Sequence, residues 1–144
     1  MASTVPAQKE DRIVFTSGPK GYSVRDIIDA AYFRGELDPF WNEVLLRAEA
    51  DRLAHETDAE LDEAALEEAS IAFRYQYDLI TAEETEQWLE IRGLTLSDFS
   101  EYFAREQWVK VFRGKARPDS IPLTQASPEQ RELLAVELTL TGEL

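Results

Sequence analysis

The sequence predicts an all-α fold: a single compact domain of about six helices, with a short strand at its N-terminal end. Three observations predict it. Helix-start punctuation recurs six times along the chain. The apolar residues between the starts recur with a period near 3.6. No apolar run approaches the roughly 20 residues of a membrane helix. The chain is 144 residues long, the ordinary size of one domain, and a chain of that size buries roughly 68–70% of its unfolded surface without staples.

Residues 1–12 read as a disordered lead, and 13–144 as one helical domain. Ile13, Val14 and Phe15 are β-branched or aromatic and suit a short strand or an extended anchor. The stretch 16–21, with two glycines and Pro19, reads as a turn. No hairpin pattern and no tandem repeat stands out. Ser23 and Asp26 have the spacing of a capping box and open a helix ending near Gly35. Asp38 before Pro39 places an N-cap ahead of proline at N1, opening a helix to about Glu56. Thr57 and Glu60 form a full box opening a third helix to about Tyr77. Thr81 and Glu84 form another, and its helix stops at Gly93, a natural left-handed residue. Thr95 and Asp98 open the fifth helix, which ends at Gly114. Ser127, Pro128 and Gln130 open the last, 128–141, running toward Gly142. Leu61, Ala65, Ala69, Ala72, Phe73 and Gln76 share one face of the third helix, with Leu66 beside them. Leu96, Phe99, Phe103 and Gln107 line up on the fifth, flanked by Tyr102 and Trp108. Residues 115–126, with Pro118 and Pro122, are the long internal linker. The final LTLTGEL breaks off in mid-pattern, so the natural chain is expected to continue past Leu144.

Composition excludes several chemistries. There is no cysteine, hence no disulfide framework, thiolate metal site or cysteine nucleophile. The only histidine, His55, rules out a multi-histidine metal site. Acidic residues outnumber basic ones 29 to 15, for a net charge of −14. Such a surface repels nucleic acid and anionic lipid and favours basic partners. The opening MASTVPAQKEDR lacks the apolar core of a secretory signal, so the expected compartment is the cytoplasm.

No catalytic constellation emerges. His55 reads as a helix-end histidine favoured by the dipole rather than as a general base. Asp58, Glu60, Asp62, Glu63, Glu67 and Glu68 lack the spacing and glycine of a calcium loop and read as a solvated acidic face. There is no phosphate-binding glycine loop, nucleophile elbow or cofactor motif. Arg105, Lys110, Arg113, Lys115 and Arg117 gather where cations suit the end of the fifth helix. What remains is aromatic surface. Phe73, Tyr75 and Tyr77 cannot share one helical face, because successive positions turn by about 100°; Tyr102 and Phe103 diverge in the same way. Some aromatics should therefore line a groove or an interface, as exposed aromatic surface commonly does. The candidates are Tyr32, Phe33, Trp41, Tyr75, Trp88, Tyr102 and Trp108, each more often a core residue than a contact when taken alone.

The stretches VLLRAEADRLAHETDAELDEAALEEA and WLEIRGLTLSDFSEYFAREQWVKVF, with VFTSGPKGYSVRDII upstream, resemble the N-terminal chaperone domain of SurA/PrsA-type parvulin proteins. The likeness covers about two thirds of the chain. It implies a helical cradle that holds unfolded or extended peptide in an apolar groove. The parvulin isomerase module is absent, so no isomerase residues carry over, and the export signal of extracytoplasmic relatives is absent too. FRYQYDLITAEETEQWLEIRGLTLSDF is also similar to parvulin-related peptide-maturation proteins, which implies a precursor peptide of a ribosomally made natural product as ligand.

Three function classes follow. The leading one is a noncatalytic, chaperone-like module binding an extended apolar or basic peptide, with no cofactor and no metal. The second is an assembly subunit, a homodimer or an enzyme accessory, using the same aromatics. The third is a small helical enzyme with a buried pocket.

Overall fold

A computed structural model describes residues 9–141 and contains all six helices: α1 (Val24–Phe33), α2 (Asp38–Glu56), α3 (Glu63–Gln76), α4 (Ala82–Ile91), α5 (Leu96–Val111) and α6 (Pro128–Leu140). Ahead of them come a 3₁₀ turn (Lys9–Asp11) and two short antiparallel strands, β1 (Ile13–Ser17) and β2 (Lys20–Ser23). No helix among the described residues is long and apolar enough to cross a membrane.

Four of the six helix starts form as the capping pattern predicts. Ser23, Thr81, Thr95 and Ser127 each accept the N–H three residues on, and the side chain at that position accepts the cap's own N–H in return. For Thr81 the two bonds are 3.1 Å and 3.0 Å. We expect Thr81→Ala to cost about 1 kcal/mol, the usual value of an N-cap. Urea titration would show it, and an unchanged midpoint would mean that α4 starts elsewhere.

The other two starts are shifted. α2 begins one residue early: the Leu37 carbonyl accepts the Trp41 N–H, which makes Asp38 a first-turn anion instead of the cap. The third helix starts five residues late, at Glu63 with Asp62 as its cap. The Thr57 hydroxyl, expected to cap it, turns back onto the Leu53 carbonyl of α2. Asp58 then takes a left-handed conformation (φ +54°). The N–H groups of Asp58 and Ala59 return to the carbonyls of His55 and Ala54. That is the closing pattern of a Schellman motif, with aspartate where glycine is usual.

The N-terminal turn is in fact a hairpin, which the sequence pattern did not reveal. Ser17 pairs with Lys20, leaving Gly18 and Pro19 as a two-residue loop. Gly18 has φ +61° and Pro19 is confined to negative φ, the combination of a type II′ turn. An irregularity between Ile13 and Phe15 shifts the register. The expected disordered lead lies outside the described residues except for 9–12. There the 3₁₀ turn is ordered and Glu10 is buried. The expected stop at Gly142 also lies outside them.

The helical content divides into two compact units. One comprises 9–44 and 121–141 of the described residues, the other residues 45–120. In the first, Val24 and Ile28 of α1, Trp41 of α2, Leu123 and the whole run from Leu134 to Leu140 are buried. The far end of the linker is fixed within this unit: Trp41 Nε1 donates to the Ile121 carbonyl (2.8 Å), and the Leu123 N–H donates to the Tyr32 hydroxyl (3.2 Å). In the second unit Phe73 of α3 is ringed by Tyr77, Trp88, Phe99, Tyr102 and Phe103, with centroids 4.7–6.4 Å away. Most of these pairs meet edge to face, the geometry favoured by the aromatic quadrupole. Trp108 of α5 anchors a neighbouring cluster with Ala50, Ala54 and Ala116.

Candidate functional site

The second unit carries a trough, and its shape follows from the late start of α3. Gln107 of α5 grips the Asp62 backbone at two points, its Oε1 accepting the Asp62 N–H (2.8 Å) and its Nε2 donating to the Asp62 carbonyl (3.2 Å). Residues 57–62 therefore run as a loop between the end of α2 and α5, and α3 rises beside α5 only from Glu63. Two adjoining concave spaces result. One, of about 730 Å³, lies over the end of α2, the loop and α5 and is lined by Asp51, His55, Asp58, Glu60, Arg105 and Trp108 among others. The second, of about 470 Å³, lies between α3 and α5, over Leu66, Ser70, Phe99 and Phe103. Leu61, Glu63, Glu101 and Ala104 line both.

The floor and the rim differ in kind. Phe99, Phe103 and Trp108 are each only 5% exposed and, with Leu61, Leu66 and Ala104, make an apolar base. Around it stand the carboxylates of Asp51, Asp58, Glu60, Glu63, Glu67 and Glu101, against one arginine and one histidine. His55 Nδ1 lies 2.8 Å from the Asp51 carbonyl, to which it donates. That bond, reinforced by the Asp51 carboxylate and Glu101, holds the imidazole above its ordinary pKa. The imidazole is thus engaged with its own helix, and the pocket hydroxyls Ser70 and Ser100 make no hydrogen bond to it among the described residues. Nor, among those residues, is any group of three His, Asp or Glu side chains placed to hold a metal ion.

Of the seven aromatic candidates, only Trp108 touches the trough, and it does so as floor. Trp41 is 2% exposed with its indole N–H bonded, so it is a core residue of the first unit. Tyr32 and Phe33 line a separate hollow of that unit with Leu123 and Arg131. There Phe33 is 91% exposed, whereas the Tyr32 hydroxyl is engaged with Leu123. In the second unit the ring of Trp88 is covered by Arg92 at 3.9 Å, and that of Tyr102 by Arg47 at 4.7 Å. Tyr75 faces solvent, on a different side of α3 from its neighbours Phe73 and Tyr77, whose rings meet at a tilt of 38°. The seven therefore do not form one groove in either unit.

The residues that do form the trough were visible as types but not as a site. Leu66, Phe99 and Phe103 read as core-facing positions, and Asp58, Glu60, Glu63 and Glu67 as a dispersed acidic face. Glu63 and Glu67 join the rim from one stripe of α3, and Asp58 and Glu60 because 57–62 is a loop. A helix there would have turned successive side chains apart. The helical architecture stands as predicted, with a two-stranded hairpin in place of the single short strand, and comparison of the chain with protein-family models, with curated proteins and with solved structures returns no match.

Proposed function

We propose that this chain is a noncatalytic, chaperone-like module that binds peptide segments in the trough between α3 and α5. The observation that carries the reading is the pairing of an apolar floor with a carboxylate rim, the surface that an apolar segment flanked by lysine or arginine complements. The resemblance of the sequence to SurA/PrsA-type chaperone domains points the same way. The likeness of residues 73–99 to parvulin-related peptide-maturation proteins offers a precursor peptide in the cytoplasm as the most specific ligand of this reading. The competing assembly reading draws on Phe33, Ile91 and Tyr75, large apolar side chains that are 91%, 76% and 65% exposed.

The test is a titration against apolar, apolar-basic and apolar-acidic peptides at low and high salt. We expect apolar-basic peptides to bind in the micromolar range, unchanged in mass after incubation, since ordering a flexible chain offsets much of its contact energy. Ser70→Trp, which fills the apolar pocket, should abolish binding while leaving the helical circular dichroism intact. If the folded variant binds as well as the parent, the trough is not the site. If no peptide binds the parent, the assembly reading takes its place.

A further inference from the structure

We infer that the trough is shaped for a short cationic amphipathic helix rather than for an extended strand; this rests on the peptide-binding reading and narrows its ligand. The α3 wall consists of Glu63, Leu66, Glu67 and Ser70, positions i, i+3, i+4 and i+7. That is a single helical stripe, the surface on which another helix packs. The α5 wall facing it is Phe99, Ser100, Phe103 and Ala104. At 1.5 Å per residue the two walls extend about 10 Å and about 8 Å, the length of about two turns of a ligand helix.

Backbone chemistry separates the two ligand forms. An extended peptide on an apolar floor must find partners for its own N–H and C=O groups, and each one left unpaired costs about 1–3 kcal/mol. Strand-type recognition meets that need with a free sheet edge. None lines this trough: its walls are α2, α3 and α5, whose backbones are internally bonded, and the loop 57–62. Within that loop the N–H groups of Asp58, Ala59 and Asp62 are engaged with His55, Ala54 and Gln107. A helix brings its backbone already paired and needs the trough only for side chains. The charge of its flanks follows from the rim, where Glu63 and Glu67 stand on one wall and Glu101 on the other. The ligand therefore carries apolar residues at i, i+3 or i+4, and i+7, with lysine or arginine on either side of that stripe.

Three labelled peptides of about four turns decide the matter. The first has leucines on that stripe and lysine flanks, the second the same composition with two central prolines, and the third glutamate in place of lysine. Fluorescence anisotropy reads binding, and far-ultraviolet circular dichroism of the mixture reads helix gained by the peptide. We expect the first to bind with a gain of helix, and each of the others to bind at least about tenfold more weakly. Glu67→Lys with Glu101→Lys, both at exposed helical positions, should lower affinity for the first peptide about tenfold at low salt and less at high salt. Equal binding of the first two peptides, lost in Ser70→Trp, would overturn the helical ligand and keep the peptide site. Equal binding of the lysine and glutamate peptides would overturn the charge argument. Binding of none of them, nor of any extended peptide, would remove the peptide-binding reading itself.

Discussion

Arg131→Ala is expected to destabilise the protein by about 3 kcal/mol, the lower end of the range for removing one partner of a buried ion pair, because Glu10 is buried while Arg131 is half-buried. Glu10 is 2% exposed. Its carboxylate accepts from Arg131 Nε at 3.1 Å and from Nη2 at 2.8 Å, and the same Nη2 reaches Asp29 at 2.9 Å. These bonds hold the guanidinium above its ordinary pKa, Glu10 contributing most. Arg25 lies 3.8 Å from Glu10 and cannot replace a fork of two bonds. Truncating Arg131 thus leaves a carboxylate inside the first unit without adequate compensation. Urea unfolding followed by circular dichroism measures the loss. A change below about 1 kcal/mol, the level of an exposed pair, would show that Glu10 reaches water. Pairing Arg131→Met with Glu10→Leu should recover much of the stability, because the cost lies in the orphaned charge more than in the missing bonds.

Trp108→Ala should cost about 3–5 kcal/mol, for a different reason. The indole fills the space between Ala50, Ala54 and Ala116, with Leu46, Leu53 and Phe112 packed around it. Truncation removes the largest side chain of that cluster, so the lost transfer free energy and the space left behind both count. The measurement is again urea unfolding. A loss below about 2 kcal/mol would indicate that α2 and α5 close over the vacancy. Reduced peptide binding by this variant would reflect a weakened fold, which is why Ser70→Trp probes the trough instead.

The helix starts at Ser23, Thr81, Thr95 and Ser127 were legible because a cap is local: the hydroxyl and its partner lie three residues apart. The start of α3 was not. It depends on Gln107, 45 residues away from Asp62, and on an aspartate adopting the φ of a glycine. The hairpin escaped notice because its strands have only five and four residues, too few for alternation to stand out. For the site, residue type misled. Sequence favours tryptophan and tyrosine as contacts, yet Trp41 and Trp108 are interior and Trp88 and Tyr102 are roofed by arginines. The acidic rim was present in the sequence as a run of charges. The loop at 57–62 and one stripe of α3 bring Asp58, Glu60, Glu63 and Glu67 of that run to one trough.

The two halves of the first unit have a consequence for how the chain is made. Residues 45–120 are contiguous and emerge from the ribosome as an uninterrupted piece. The other unit is discontinuous. Glu10 is synthesised early, and its partner Arg131 follows 121 residues later. At translation speeds of roughly 5–20 residues per second, that gap lasts about 6–24 seconds, far longer than helix formation. Throughout it, Val24, Ile28 and Trp41 exist without α6, whose residues Leu134 to Leu140 are all buried in the finished unit. The timetable of synthesis thus sets the order of assembly: the contiguous unit can mature during elongation, and the one whose two segments flank it in sequence must wait for α6.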